Sequence, residues 1–312
     1  MRHHILLTAP VEPRLMAGLD AVYTVHRLWE AEDPGALLAS AAAFVTGVVT
    51  RSVVGADAAL MAALPKLEVI ALFGIGADAV DLAAAKARGI RVANTPGVQT
   101  EDTADYSIAL LLALARRIVE GDRHVRQGRW QHGLLANSTR VSGKTLGIVG
   151  LGRIGSGVAR RAEAFAMKIL YTGPTAKPDV PWTYVDTVEA LAREVDFLVL
   201  TCPGGPATRG IVNAEVLRAL GADGMLVNIA RASVVDEPAL IAALRDRTIK
   251  AAALDVFPDD PHVSPAFLDL ENVVLEPHIA STTVETRMAI CDLVLENLAA
   301  HYGGKVAPGL LG

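Results

Sequence analysis

Short runs of apolar, often β-branched residues recur along the chain, separated by alanine-rich segments with helical spacing. Runs at 5–8, 44–49, 68–73, 145–149, 168–171, 197–201, 225–229, 249–253 and 273–275 read as strands. The segments 57–64, 80–88, 154–166 and 238–245 read as helices between them. Parallel strands need a crossover, usually a helix, so this alternation predicts βαβ units and parallel sheets. Right-handed crossovers then cover both faces of each sheet. From Asp102 to about Val119, Ile108, Leu111, Leu112, Ala115, Ile118 and Val119 fall at spacings of three and four, which predicts one long helix with Asp102 as its N-cap. The polar stretch 121–144 shows little periodicity before Val141, and 283–302 returns to a helical pattern.

A length of 312 residues suggests two domains. With a hinge near Pro96 and Gly97 and a tail that packs back, the domains are 1–97 plus 283–312, and 98–282. The expected fold is two doubly wound, Rossmann-like α/β domains with a cleft between them. A hydrophobic content of 52% supplies ample core. Twenty-nine basic residues against 34 acidic ones leave a net charge of −5, which argues against a nucleic-acid partner. Cys202 and Cys291 cannot make a disulfide framework and fit a reducing compartment such as the cytoplasm. The longest stretch free of charge and proline, 35–50, is short of the roughly 18 residues a membrane span needs. The first apolar run is too short for a secretory leader. The histidines outside the 276–281 segment show no metal-ligand spacing, and no metal is assigned.

Thr145-Leu-Gly-Ile-Val-Gly150-Leu151-Gly152-Arg153-Ile154-Gly155 is an apolar strand running into G-x-G-x-x-G and then a helical pattern. In that setting Gly150 permits a tight turn, Gly152 lets a diphosphate approach the backbone, and Gly155 lets the helix lie close to the sheet. The amides around Arg153 and Ile154 and the positive end of the helix dipole complete an anion site. NAD-binding versions carry an acid at the end of the next strand. Here that strand is followed by Thr172-Gly173-Pro174-Thr175-Ala176-Lys177, with no acid before Asp179. A carboxylate would repel a 2′-phosphate; Thr172, Thr175 and Lys177 could bind one, although Lys177 reads equally as a solvated loop lysine. NADP is therefore favoured over NAD.

Three further segments follow strands: Val227-Asn228-Ile229-Ala230-Arg231-Ala232, Leu254-Asp255-Val-Phe-Pro-Asp259-Asp260, and Glu276-Pro277-His278-Ile-Ala280-Ser281. They supply a guanidinium, a carboxylate and an imidazole, a set suited to reducing a carbonyl beside a carboxylate with a nicotinamide as hydride source.

With Gly74-Ile75-Gly76-Ala-Asp78, Asn94-Thr-Pro-Gly97, Leu151–Gly155 and Thr201-Cys202-Pro203-Gly-Gly-Pro-Ala-Thr208, these segments make the sequence resemble the D-isomer-specific 2-hydroxyacid dehydrogenases over essentially its whole length. It is most similar to the glyoxylate/hydroxypyruvate reductase branch. The resemblance implies that Arg231 binds the substrate carboxylate and polarises its carbonyl, that His278 donates the proton, and that Asp260 holds the imidazole in one tautomer. The family usually has glutamate at that position, one methylene longer, and Asp259 is the fallback. Ala232 and Ala280 also stand where the family commonly has glycine. By the same resemblance the Ile75 and Gly76 amides, after Gly74, take the substrate carboxylate, with Arg51 in reach of it or simply on the surface. Cys202, Pro203, Thr208, Ile229, Ala230, Asp255, Ala280 and Thr103 border the cofactor, and Trp130 lines either the substrate site or a subunit contact. A homodimer reducing small 2-oxo acids follows. The alternatives are reduction of larger acids such as hydroxyphenylpyruvate, or a dinucleotide-sensing, corepressor-like protein without turnover.

Overall fold

A computed structural model describes residues 2–311. The chain divides into two compact units, Met1–Gln99 with Thr282–Gly312, and Thr100–Ser281, called here the small and the large unit. The small unit begins with β1 (His4–Leu7), α1 (Pro13–Val22), β2 (Thr24–Arg27), α2 (Pro34–Ala41), β3 (Val45–Arg51), α3 (Ala58–Ala63), β4 (Val69–Phe73), α4 (Leu82–Ala87) and β5 (Arg91–Ala93). In the large unit follow α5 (Thr100–Ala115), α6 (Ile118–Arg126), β6 (Thr145–Val149), α7 (Arg153–Glu163), β7 (Lys168–Thr172), β8 (Thr183–Tyr184) and α8 (Val188–Arg193). It continues through β9 (Phe197–Leu200), α9 (Ala214–Leu220), β10 (Met225–Asn228), α10 (Glu237–Arg245), β11 (Ala251–Leu254), α11 (Pro265–Leu268) and β12 (Val273–Leu275). A last helix, α12 (Val284–Tyr302), belongs to the small unit.

Both sheets are parallel throughout. The small unit's order is β2-β1-β3-β4-β5 and the large unit's is β12-β11-β10-β9-β6-β7-β8. Each is doubly wound, with strand order reversing between β1 and β3 in one and between β6 and β9 in the other. Alternate strand residues enter separate cores: Leu226 packs on one face of the large sheet, Met225 and Val227 on the other. Burial on both faces is why these strands read as continuous apolar runs. Asp57, Asp236 and Thr283 cap their helices by accepting the amides of Leu60, Ala239 and Thr286.

The small unit is assembled from two distant stretches. Ile290, Cys291, Val294 and Leu298 of α12 fill one core of its sheet beside Ile5, Leu7, Val49 and Val69. Asn297 donates to the Asn94 carbonyl at 2.9 Å and accepts the Gly309 amide at 2.8 Å, tying the tail to the end of β5.

Four expectations change. β2, β5 and β8 are strands that the apolar pattern did not reveal: β2 and β8 are half-buried sheet edges, and β5 has three residues. The long helix is two helices. Arg117 adopts φ 54, the left-handed region, and is held by Glu120, so the ladder stops at Ala115 and restarts at Ile118. Asp102 lies within the first turn of α5 rather than capping it, because the helix starts at Thr100. The stretch after 121 is helical to Arg126, and Arg129–His132 forms a 3-10 turn.

Candidate active site

The register of the large sheet lines up the ends of its strands. Leu200 pairs with Asn228, Asn228 with Leu254, and Leu254 with Leu275. The loops that follow β10, β11 and β12 therefore start side by side, about 4.8 Å apart. They carry Arg231, Asp260 and His278 respectively.

His278 is held directly by Asp260. Its Nδ1 lies 2.7 Å from Asp260 Oδ2, and a carboxylate there requires the proton on Nδ1. Nε2 is then the ring nitrogen left for a substrate. The other oxygen of Asp260 accepts the Phe257 amide at 3.0 Å, which fixes the carboxylate in its own loop. Asp259 points elsewhere, 3.7 Å from His262 and 87% exposed. The backbone at His278 has φ 56, an uncommon conformation for a residue with a side chain. Asp255, 1% exposed, holds the segment just beyond it, with Oδ1 accepting the Ile279 amide at 2.8 Å and Oδ2 the Ala280 amide at 2.9 Å. Burial raises the Asp255 carboxyl above its ordinary value, and those two amides offset only part of the rise.

Arg231 sits in a loop organised by Asn228, which is 1% exposed. The Asn228 side chain accepts the Ala230 amide at 3.0 Å and donates to the Arg231 carbonyl at 3.1 Å. One Arg231 nitrogen donates to the Ala230 carbonyl at 2.7 Å. Asn228 and Thr201 have structural roles that the sequence reading did not assign. Their signal was a polar residue closing or following an apolar strand.

The glycine loop follows β6, at the reversal of strand order. Gly150 has φ 95, and a Cβ there would stand 2.7 Å from the Cys202 Cα. At Gly155 a Cβ would stand 2.3 Å from the Gly150 carbonyl oxygen, which also accepts the Thr201 hydroxyl at 2.6 Å. Gly152 is different: its Cβ would meet no protein atom within 4 Å. Protein packing explains two of the three glycines, and close approach of a diphosphate explains the third. The residues present thus fit a dinucleotide. Gly152→Ala should leave the melting temperature unchanged and weaken NADPH about tenfold or more, whereas Gly155→Ala should lower the melting temperature. A thermal melt with a fluorescence titration measures both; unweakened binding by Gly152→Ala would refute the assignment.

Of the other residues expected to border the cofactor, Leu151, Ile229, Ala230 and Ala280 are buried. Thr103 lies buried in α5, its carbonyl accepting the Ser107 hydroxyl at 2.7 Å. Cys202 is buried, which pushes its thiol up to about 11 and keeps it protonated at neutral pH. Thr208 donates to the Pro203 carbonyl at 2.7 Å and staples the loop after β9. At the end of β7, Thr172 is buried, the Gly173 carbonyl accepts the Tyr184 hydroxyl at 3.1 Å, and the Lys177 amide donates to the Tyr171 hydroxyl at 2.7 Å. Pro174, Thr175 and Lys177 are exposed.

In the small unit, Gly74 has φ 132, and a Cβ there would meet the Ser52 hydroxyl at 2.3 Å. The Gly74 carbonyl accepts the Thr95 amide at 3.1 Å, and the Ile75 carbonyl accepts the Asn94 side chain at 2.7 Å. The Ile75 and Gly76 amides have no hydrogen-bond acceptor among the described residues, as an anion-binding turn requires. Arg51, exposed, ends the neighbouring strand β3. Among the described residues there is no cluster fit to hold a metal and no helix long and apolar enough to cross a membrane.

A parallel sheet that meets a G-x-G-x-x-G loop at its reversal, with an arginine, an acid-held histidine and a buried aspartate on successive strand ends, defines a dinucleotide-dependent oxidoreductase. Residues 108–280 match the profile of the D-isomer specific 2-hydroxyacid dehydrogenase NAD binding domain. The chain is 47% identical over 301 residues to glyoxylate/hydroxypyruvate reductase A HPR2 of Arabidopsis thaliana, covering 96% of each chain. It is 46% identical over 301 residues, with the same coverage, to a hydroxyphenylpyruvate reductase of Plectranthus scutellarioides. Among solved structures, an NADPH-dependent glyoxylate/hydroxypyruvate reductase from Sinorhizobium meliloti, in complex with NADP and malonate, superposes with a TM-score of 0.95 at 41% identity, over 100% of this chain and 97% of that one. The chain belongs to the D-isomer-specific 2-hydroxyacid dehydrogenase family.

Proposed function

We propose that the protein is an NADPH-preferring reductase of small 2-oxo acids, glyoxylate and hydroxypyruvate first, giving 2-hydroxy acids. The observation that carries the reading is the His278 ring, held through Nδ1 by Asp260 with Nε2 left to serve a substrate. The nicotinamide supplies the hydride when bound. Arg231 orients the substrate carboxylate and draws charge onto its carbonyl oxygen, a task for a planar fork of donors. His278 gives that oxygen a proton from Nε2, and Asp260 keeps the ring aimed. In the small unit, Arg51 and the Ile75 and Gly76 amides take the carboxylate. This assigns substrate binding to 1–97 plus 283–312 and cofactor binding to 98–282.

NADP is supported by the end of β7, where Thr172, Gly173, Pro174, Thr175 and Lys177 stand in place of an acid. Expected is a kcat/KM with NADPH about tenfold or more above that with NADH. A panel of 2-oxo acids, hydroxyphenylpyruvate included, assayed with each nicotinamide measures it; a tenfold advantage for NADH would overturn the NADP reading. Binding of cofactor without turnover of any acid would favour the sensing alternative.

The homodimer reading is supported by the 118–135 region of the large unit. There Gly121, His124, Val125, Trp130, Leu134 and Leu135 line a cavity of about 350 Å³, with Trp130 64% and Leu134 88% exposed. Both cysteines are buried and unpaired, which supports a cytoplasmic setting.

A further inference from the structure

The small sheet reverses its strand order between β1 and β3, and ligands of open parallel sheets gather beyond the strand ends at such a point. Two charged side chains there have no task in the reaction as described. Glu12 lies between β1 and α1, and Arg287 lies in the first turn of α12. Arg51, which ends β3, pairs in register with Phe73, which ends β4. The Arg287 guanidinium stands over the Phe73 ring, 5.4 Å from its centre. Arg287 therefore shares the sheet end with Arg51 and with the Gly74–Gly76 turn.

The donors of Arg287 are only partly used. One terminal nitrogen donates to the Thr282 hydroxyl at 3.0 Å. Its Nε is inaccessible and makes no hydrogen bond, lying 3.7 Å from Glu12 Oε1, too far for one. The other terminal nitrogen has no acceptor among the described residues. Both side chains are partly open, Arg287 at 24% and Glu12 at 33%. Burial holds the Arg287 guanidinium below its usual range, Glu12 opposes that, and Arg51 adds to it. Two cations therefore stand near one carboxylate.

A loosely paired guanidinium and carboxylate present a donor beside an acceptor. A hydroxyl, which accepts and donates at once, is the group that satisfies both. We propose that Glu12 and Arg287 form a subsite that reads a hydroxyl on C3 of the substrate, so that hydroxypyruvate and longer polyhydroxylated 2-oxo acids are selected over glyoxylate. This rests on the reading above in which Arg51 and the Ile75 and Gly76 amides take the substrate carboxylate. Sites built to hydrogen-bond a substrate hydroxyl discriminate strongly against analogues without it, because their own polar groups are then left unpaired.

The test compares Glu12→Ala and Arg287→Met with the unaltered protein. Arg287→Met also removes the Phe73 and Thr282 contacts, so Glu12→Ala decides: its side chain makes no capping bond to α1. The unaltered protein should favour hydroxypyruvate over glyoxylate by about tenfold or more in kcat/KM, and that ratio should fall about tenfold in Glu12→Ala. Calorimetric titration of the NADP-loaded protein should show D-glycerate losing its advantage over glycolate by a similar factor. An unchanged ratio in Glu12→Ala, or no preference in the unaltered protein, overturns the proposal. If the unaltered protein reduces neither acid, the reductase reading itself fails and the subsite falls with it.

Discussion

Replacing His278 by alanine should lower kcat by about 10²–10⁴-fold and leave the affinity for NADPH within about twofold. The imidazole is the group placed to give the carbonyl oxygen its proton, and Asp260, 2.7 Å from its Nδ1, aims it. The glycine loop that should bind the diphosphate follows a different strand, β6, so cofactor binding is separable from proton transfer. Stopped-flow turnover and a fluorescence titration of NADPH on the same preparation measure the two halves. Undiminished turnover would remove His278 from the mechanism. Loss of cofactor affinity in parallel with kcat would mean that the residue supports the fold instead.

Arg231→Lys should cost about 10²–10³-fold in kcat/KM despite keeping the charge. The loss should arise from geometry. Asn228 accepts the Ala230 amide and donates to the Arg231 carbonyl, so the loop presents the residue at 231 from a fixed backbone. From that fixed point a guanidinium offers parallel donors to a carboxylate and its neighbouring carbonyl, while an ammonium offers a point charge. Steady-state kinetics at saturating NADPH, with hydroxypyruvate varied, provide the measurement. A lysine variant within about threefold of the unaltered protein would show that charge alone suffices.

The interior strands could be read from the sequence because burial on both sheet faces forces uninterrupted apolar runs. Edge strands carry no such constraint, and β2 and β8 were accordingly silent. The break at Arg117 had no signal in the apolar spacing, which continues through Ile118 and Val119; it depends on one backbone conformation and an ion pair with Glu120. The functional segments were legible because each follows a strand. The resemblance also put Asp260 ahead of Asp259 as the partner of the imidazole, and the structure agrees. Loop geometry decides between them, through the Phe257 amide bonding to Asp260. Glu12 and Arg287 were invisible for another reason. Neither belongs to a local motif, and only the packing of α12 over β4 sets them on one sheet end.

The divided origin of the small unit bears on how the protein comes into being during translation. One of its cores takes Ile290, Cys291, Val294 and Leu298 from α12, while Asn297 fastens the tail to Asn94. Residues 1–99 are synthesised before α12 and until then lack part of their own interior. The large unit, drawn from one continuous stretch, has its sheet complete earlier. Domains usually mature in the order of synthesis. Here the arrangement favours the opposite order, and residues 1–99 keep one face of their sheet uncovered until α12 is made.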